Sequence, residues 1–208
     1  MIAKEYKLPR GNAEVEFYEK KSRFIANISQ VSSEKEAQTF LASIREKYKD
    51  ANHNVFAYGI KEGGIFRQSD DGEPVKTAGV PLLDVFLKQE IYDFCCVATR
   101  YFGGIMLGAG GLIRAYARCG ALALEASGVG IMRQLSMCSV SVTYAQFENI
   151  KRLLLSSGSE IISEDFGADV TITFSIPSED KAALDKQVME LSAAKFKICE
   201  NSKEMRAF

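Results

Sequence analysis

The first half of the chain alternates between apolar strands and an amphipathic helix. Residues 13–31 carry apolar side chains in two runs around the polar segment 19–22, which predicts two strands joined by a turn. Residues 34–48 place apolar side chains three or four positions apart, which is the spacing of one helix face. Residues 55–60 predict another strand, and the polar, glycine-containing residues 61–77 are typical of a loop.

A buried strand and a helix flank the most glycine-rich segment of the chain. The apolar run 94–98 predicts the strand, and the alanine-rich residues 112–126 predict the helix. Between them, five of the nine residues 103–111 are glycine. Glycine there lets backbone N–H groups approach a ligand without obstruction by a Cβ atom. The first N–H groups of the helix have no partner within it, so they are available to the same ligand.

The second half of the chain has a pattern of its own. It predicts strands over residues 137–143, 160–165, 170–176 and 196–199, and helices over residues 145–156 and from residue 178 onward. This β-α-β-β-α-β order is that of the ferredoxin-like split βαβ motif. We therefore expect an α+β fold with two domains, an α/β domain over residues 1–130 and a ferredoxin-like domain over residues 136–208.

Composition narrows the class of protein. Hydrophobic residues make up 47% of the 208 and charged residues 25%, which is ordinary for a soluble globular protein. A net charge of −1 gives no overall attraction to nucleic acid or membranes. The five cysteines include no Cys-x-x-Cys pair, as in a reduced, cytoplasmic protein. The sequence has neither a charged-then-apolar leader nor 18 consecutive apolar residues, so we expect a cytoplasmic protein without membrane contact.

Two arginines place positive charge on either side of the glycine-rich segment. Arg100 precedes it, and Arg114 lies in the first turns of the following helix. The segment lacks the Gly-Lys-Ser/Thr of a phosphate loop and the acidic residue that follows a dinucleotide fingerprint. Two interpretations stay open. The segment either contacts an anion or nucleic acid, or forms a tight turn whose glycines let the helix pack closely on a sheet.

A single histidine and a short acidic segment are further candidates for chemistry. His53 is either a general base or phosphate donor, or a residue that ties a loop together through backbone hydrogen bonds. Asp70, Asp71 and Glu73 fall within four positions, where they either hold a hard cation, act as acid or base, or cap the next helix. The basic cluster 20–23 is interpreted as a solvated hairpin tip.

Several motifs of the chain resemble those of the IMPACT family. They are Lys-Ser-Arg-Phe-Ile-Ala over residues 21–26, Ala-Asn-His-Asn-Val-Phe-Ala-Tyr over 51–58, Ser-Asp-Asp-Gly-Glu-Pro over 69–74, Thr-Ala-Gly-Val-Pro-Leu-Leu over 77–83, and residues 99–116. The resemblance covers nearly the whole chain. It implies a first domain like the second domain of small-subunit ribosomal protein five, and a second like a ferredoxin-like domain of elongation factor G.

The resemblance also implies a role in translation. The eukaryotic relative interferes with activation of a starvation-responsive initiation-factor kinase through a partner that it shares with that kinase. We therefore expect a non-enzymatic regulatory protein, linked to translation or the stress response, that binds RNA, the ribosome or a protein partner through its first domain. We expect no cofactor and no metal. The alternative is a hydrolase of a phosphate-containing small molecule, with His53, Asp70 and Asp71 as catalytic candidates and a metal held by the acidic segment.

The expected ligand-binding or nucleic-acid-binding residues come from three separate segments. They are His53, Asp71, Glu73, Lys76, Arg100, Tyr101, Gly103, Gly104, Gly108, Gly110, Gly111 and Arg114. We expect these segments to line one surface, because polar and glycine-rich segments at strand ends are where sites concentrate on rigid scaffolds. Val75-Lys76 and Met106 depart from the resemblance, since the family usually has Ser-Gly and lysine there. The second change removes a positive charge from the glycine-rich segment.

Overall fold

A computed structural model describes residues 5–207 and divides them into two compact units. The first unit is Tyr6–Ile131, and the second comprises residues 132–207 together with Glu5. The elements in chain order are β1 (Glu5–Pro9), β2 (Ala13–Glu19), β3 (Ser22–Gln30), α1 (Glu34–Lys47), β4 (His53–Ile60), β5 (Ile65–Ser69), α2 (Gly79–Lys88), β6 (Phe94–Tyr101), α3 (Ala109–Ser127), β7 (Val129–Val142), α4 (Tyr144–Ser156), β8 (Glu160–Phe166), β9 (Val170–Pro177), α5 (Lys181–Leu191) and β10 (Cys199–Ala207).

The first unit is built on an antiparallel sheet with the strand order β2-β3-β6-β4-β5. Helix α1 packs on β4 and β6 at one face, and α2 and α3 pack on the other. The central strand β6 is therefore buried on both sides. Its adjacent residues Cys95 and Cys96 point to opposite faces and belong to different hydrophobic clusters. This explains why its sequence is continuously apolar rather than alternating.

Helix α3 lies close to α2 because its Gly120 has no side chain at the point of contact. A Cβ atom built on Gly120 would lie only 3.2 Å from Leu82 and 3.3 Å from Val85 of α2. The sequence indicated close packing of α3 on a sheet, and α3 does pack on β2 and β3. The packing against α2 is an additional contact that the sequence pattern did not indicate.

The second unit has the topology that its sequence predicted. Strand β10 pairs with β7, β7 with β9, and β9 with β8, all antiparallel, which is the strand arrangement of the ferredoxin-like split βαβ motif. Strand β1 also pairs with β7 in this sheet. Apolar residues of α4 and α5 complete one hydrophobic core with β7 and β9, including Phe174, Ile150 and Leu184. The α+β fold class is confirmed.

Several boundaries differ from the predicted ones. Strand β5 lies inside the predicted loop 61–77, because it is a short edge strand with few apolar residues. The last strand was wrongly predicted at residues 196–199. It runs over Cys199–Ala207, where the side chains are mostly exposed and mostly polar or charged, and give no apolar period. The segment 131–135, between the predicted domains, is part of β7.

None of the helices in residues 5–207 combines the length with the apolar content that crossing a bilayer requires.

Candidate functional site

Three distant segments meet around one buried carboxylate. Glu73 Oε1 accepts hydrogen bonds from Arg100 Nη1 and from the Tyr116 hydroxyl, both at 2.7 Å. The Nε2 atom of His53 lies 3.9 Å from the same oxygen. His53 begins β4 directly opposite Arg100 of β6, so sheet pairing fixes their proximity. The structure therefore brings His53, Glu73 and Arg100 together.

Arg100 is buried within this cluster. Its side chain is 6% exposed, its Nη2 donates to Ser22 Oγ at 3.2 Å, and its guanidinium lies 5.6 Å from the ring of Phe24. Burial, followed by the charge of Glu73, raises the pKa of Tyr116, which keeps its hydroxyl protonated as a donor. The charge of Arg100 is thus matched inside the protein. This differs from the expectation that Arg100 presents charge to a ligand.

The remaining acidic residues bind backbone N–H groups. Asp70 accepts from the N–H groups of Lys76, Ala78 and Gly79 at the start of α2, at 2.8, 3.0 and 2.8 Å. Asp71 accepts from the N–H of Asn54 at 2.6 Å. The Asp70 contacts favour the capping interpretation, whereas the Asp71 contact joins the acidic segment to strand β4. Within residues 5–207, no group of three His, Cys, Asp or Glu side chains is arranged to hold a metal ion.

His53 ties the acidic segment to the sheet. Its Nδ1 lies 2.8 Å from the carbonyl oxygen of Asp71, a contact in which the ring nitrogen donates. This is the loop-tying role that the sequence left open beside catalysis. Two other expected site residues have local roles as well. The hydroxyl of Tyr101 donates to Asp50 at 2.8 Å, and Lys76 is an exposed residue in the left-handed region at φ 63°.

The glycines of the segment 103–111 serve different purposes. A Cβ atom on Gly103 would lie 2.0 Å from the carbonyl oxygen of Lys21, so the two loops approach each other closely. Gly104 and Gly108 have φ angles of 81° and 75°, which favour glycine. A Cβ atom added to Gly111 would lie 2.9 Å from the Cβ atom of Leu107. The tight-turn interpretation therefore accounts for four glycines, because close contacts explain Gly103 and Gly111 and positive φ angles explain Gly104 and Gly108.

Gly110 is the exception, because neither a packing contact nor a positive φ angle requires a glycine there. It is exposed in the first turn of α3, and the nearest atom to an added Cβ is Arg114 Nη1 at 3.6 Å. Helix α3 begins three residues earlier than predicted, at Ala109, and no side chain caps its first N–H groups. The start of the helix therefore presents free backbone donors to solvent.

Three cationic side chains surround a cavity beside α3. The cavity has a volume of about 190 Å³ and is lined by Glu19, Lys20, Leu107, Gly111, Arg114, Ala115 and Arg118. Among residues 5–207, none of the three cations forms an ion pair. Sequence reasoning found Arg114 but missed Lys20, which it treated as part of a solvated turn. The run of basic residues 20–23 was the available signal.

Large apolar side chains are exposed in and beside the glycine-rich segment. Met106 is 84% exposed and Phe102 is 47% exposed, and Ile105 and Ile113 are also exposed. Exposed apolar side chains in one loop are a common feature of surfaces that bind partners.

The fold and the site define a class of two-unit α+β protein. Its first unit carries a cationic cavity beside helix α3, which follows the glycine-rich segment. Its sequence matches the model of the Impact N-terminal domain over residues 20–124, and a domain of unknown function, DUF1949, over residues 140–195. The chain belongs to the IMPACT family.

Two bacterial relatives share most of this chain, and a eukaryotic one shares less than half of it. IMPACT family member YvyE of Bacillus subtilis is 39% identical over 181 residues, 86% of this chain and 83% of the relative. IMPACT family member YigZ of Escherichia coli is 31% identical, over 83% of this chain and 86% of the relative. The Protein IMPACT homolog of Dictyostelium discoideum is 39% identical over 95 residues, 43% of this chain and 27% of that protein. A crystal structure of a hypothetical protein has a TM-score of 0.62 and 28% identity, covering 96% of this chain and 98% of that one.

Proposed function

We propose that this protein is a regulatory factor in translation whose first unit, Tyr6–Ile131, binds RNA, either free or exposed on the ribosome. Membership of the family that includes the proteins named IMPACT supports the regulatory role. The single observation that carries RNA binding is the convergence of Lys20, Arg114 and Arg118 on one cavity. Glu19 is the one carboxylate of its lining, and none of the three cations forms an ion pair among the described residues. Like charges gathered in this way repel one another, and an anion relieves that repulsion.

Two neighbouring features extend the surface beyond the three cations. The first N–H groups of α3 are uncapped, which favours a negative group at that end of the helix. Gly103 packs on the backbone of Lys21, so the exposed ring of Phe102 lies next to the basic turn. An exposed aromatic ring beside cations is a combination that single-stranded RNA uses for stacking and backbone contact.

Salt dependence of RNA binding tests this proposal. We expect the full chain to bind a single-stranded RNA of 12 nucleotides, followed by fluorescence anisotropy, with a slope of log K against log salt of about −2. Three phosphate contacts to a single strand give about −0.7 each. Arg114→Gln should make the slope shallower by about 0.7. Arg152→Gln, an exposed arginine of α4 outside the first unit, is the matched control. Absence of binding at low salt to both RNA and ribosomes would overturn the proposal.

The exposed apolar residues favour a protein partner as a second candidate. Phe102, Ile105, Met106 and Ile113 lie in or beside the glycine-rich segment, and apolar residues contribute little to phosphate contacts. A ribosomal protein bound mainly through these residues would give binding that changes little with salt. Met106→Ser would then weaken ribosome binding, whereas Arg114→Gln would not.

A further inference from the structure

We infer that the cavity formed by Glu19, Lys20, Leu107, Arg114 and Arg118 is a binding site for a phosphate monoester, such as the terminal phosphate of an RNA strand or a nucleotide. The inference deepens the proposed function and rests on it only for the identity of the larger ligand. It places the anion beside α3, between the helix flank and the β2–β3 turn, rather than within the glycine-rich segment itself.

The charge of the lining matches a dianion. Three cations and one carboxylate, Glu19, leave the lining with a net charge of +2. A phosphate monoester carries a charge of about −1.5 to −2 at pH 7, whereas an internal phosphodiester of a nucleic acid carries −1. A terminal phosphate therefore neutralises the lining more completely. It also offers three oxygen acceptors to the three cationic side chains.

The size of the cavity admits a terminal group and is too small to enclose a drug-sized molecule. Its volume of about 190 Å³ is below the roughly 300–1,000 Å³ of pockets that enclose drug-sized ligands. The apolar floor formed by Leu107 and Ala115, which are 9% and 4% exposed, offers no polar partner to a base or sugar. A phosphoryl group fits inside while the remainder of its carrier lies outside.

The surrounding structure holds the Arg118 side chain in place and fixes the backbone of the turn that carries Lys20. The guanidinium of Arg118 lies 4.5 Å above the ring of Phe17, which in turn stacks on Phe24 at 5.2 Å. Lys20 and Lys21 have φ angles of 45° and 68° in the turn between β2 and β3, where asparagine and glycine are usual. The contact with Phe17 restricts where the Arg118 guanidinium lies before a ligand arrives, which reduces the entropy lost on binding.

Matched RNA strands that differ only in their ends test the inference. We expect the full chain to bind a 12-nucleotide RNA with a terminal phosphate at least about tenfold more tightly than the same RNA with hydroxyl ends, which is the scale of one charge-assisted hydrogen bond. The 5′ and 3′ phosphates are tested separately. Lys20→Gln and Arg118→Gln should reduce that ratio towards one. Arg152→Gln, in the second unit, should leave the ratio unchanged.

A second ligand separates this inference from the proposed function. Adenosine monophosphate, measured by calorimetry, should bind more tightly than adenosine, and Lys20→Gln should remove the difference. If the nucleotide binds in this way but RNA does not, the phosphate site stands and RNA binding fails. If RNA binds without preference for its ends and the nucleotide binds no better than adenosine, RNA binding stands and the phosphate monoester site is overturned. Lys20 is exposed, so Lys20→Gln tests the site without disturbing the core.

Discussion

Arg100 and Glu73, which are 27 positions apart in the sequence, form a buried ion pair with Nη1 and Oε1 separated by 2.7 Å. The two side chains are 6% and 3% exposed. Because neither charge is solvated, each depends on the other. The pair joins the central strand of the first sheet to the acidic segment, and Tyr116 of α3 donates to the same carboxylate. The pair therefore joins two of the motifs by which the sequence resembles the IMPACT family, residues 69–74 and 99–116.

Breaking this pair should destabilise the protein strongly. Glu73→Gln removes one charge and leaves the buried guanidinium uncompensated, so we expect the free energy of unfolding in urea to fall by about 3–5 kcal/mol. The matched control is Glu46→Gln, whose carboxylate pairs with Lys49 in an exposed position. That change should lie within about 1 kcal/mol of the parent. Equal effects of the two substitutions would show that the buried pair contributes no more than a surface pair.

The folded protein should lose stability at alkaline pH through Tyr116. Burial and Glu73 raise its pKa, so the folded state keeps the hydroxyl protonated while the unfolded chain ionises near pH 10. Its contribution is complete below about pH 10 and is lost as the pH rises further. Tyr116→Phe should therefore flatten the alkaline decline in the free energy of unfolding. Tyr18→Phe, on an exposed side chain, is the control. An unchanged decline in Tyr116→Phe would contradict this explanation.

Asp70 should act as a helix cap and not as a metal ligand. Asp70→Ala removes the acceptor for three backbone N–H groups, and we expect a loss of about 1–2 kcal/mol in the free energy of unfolding. Asp70→Asn keeps one side-chain oxygen and should lose less. Millimolar Mg²⁺ should leave the melting temperature of the parent unchanged. A rise with Mg²⁺ that Asp70→Asn abolishes would instead favour the hydrolase alternative.

Replacing two glycines of the glycine-rich segment by alanine should change the stability in different directions. In Gly103→Ala the new Cβ would lie 2.0 Å from the Lys21 carbonyl oxygen, so the loops must separate. We expect a loss of at least about 2 kcal/mol in the free energy of unfolding. Gly110→Ala meets only a flexible arginine side chain and should be neutral or stabilising by up to about 1 kcal/mol. Thermal unfolding measures both. Comparable losses would mean that Gly110 also has a packing role.

Thiol reactivity should separate Cys199 from the other cysteines. Cys95, Cys96, Cys119 and Cys138 are buried and Cys199 is exposed. Burial raises the pKa of Cys95 to about 12 and that of Cys138 to about 11, so their reactive thiolate forms are scarce. Titration with Ellman's reagent should detect one thiol in the folded protein and all five in denaturant. Cys199→Ser should remove the rapid reaction. More than one rapid thiol would contradict the observed burial.

The sequence by itself determined most of the elements and the topology of the second unit. Apolar period and turn residues act over a few positions, so they located β3, α1, β4 and β6, and the split βαβ order of the second unit. It did not locate β10, whose charged residues are fixed in the sheet by backbone pairing with β7 and have no apolar period. Pairing between strands that are far apart in the chain leaves no pattern in the local sequence.

Only the tertiary structure decided which arginine is available to a ligand. Arg100 and Arg114 look alike in the sequence, since each flanks the glycine-rich segment. Arg100 is buried in a sheet covered on both faces and opposite Glu73, whereas Arg114 lies on the exposed side of α3 beside Lys20. The electrostatic environment of a charge depends on burial and on partners far along the chain. Those properties are set when the elements pack, so the sequence identified the charged residues and the fold assigned their roles.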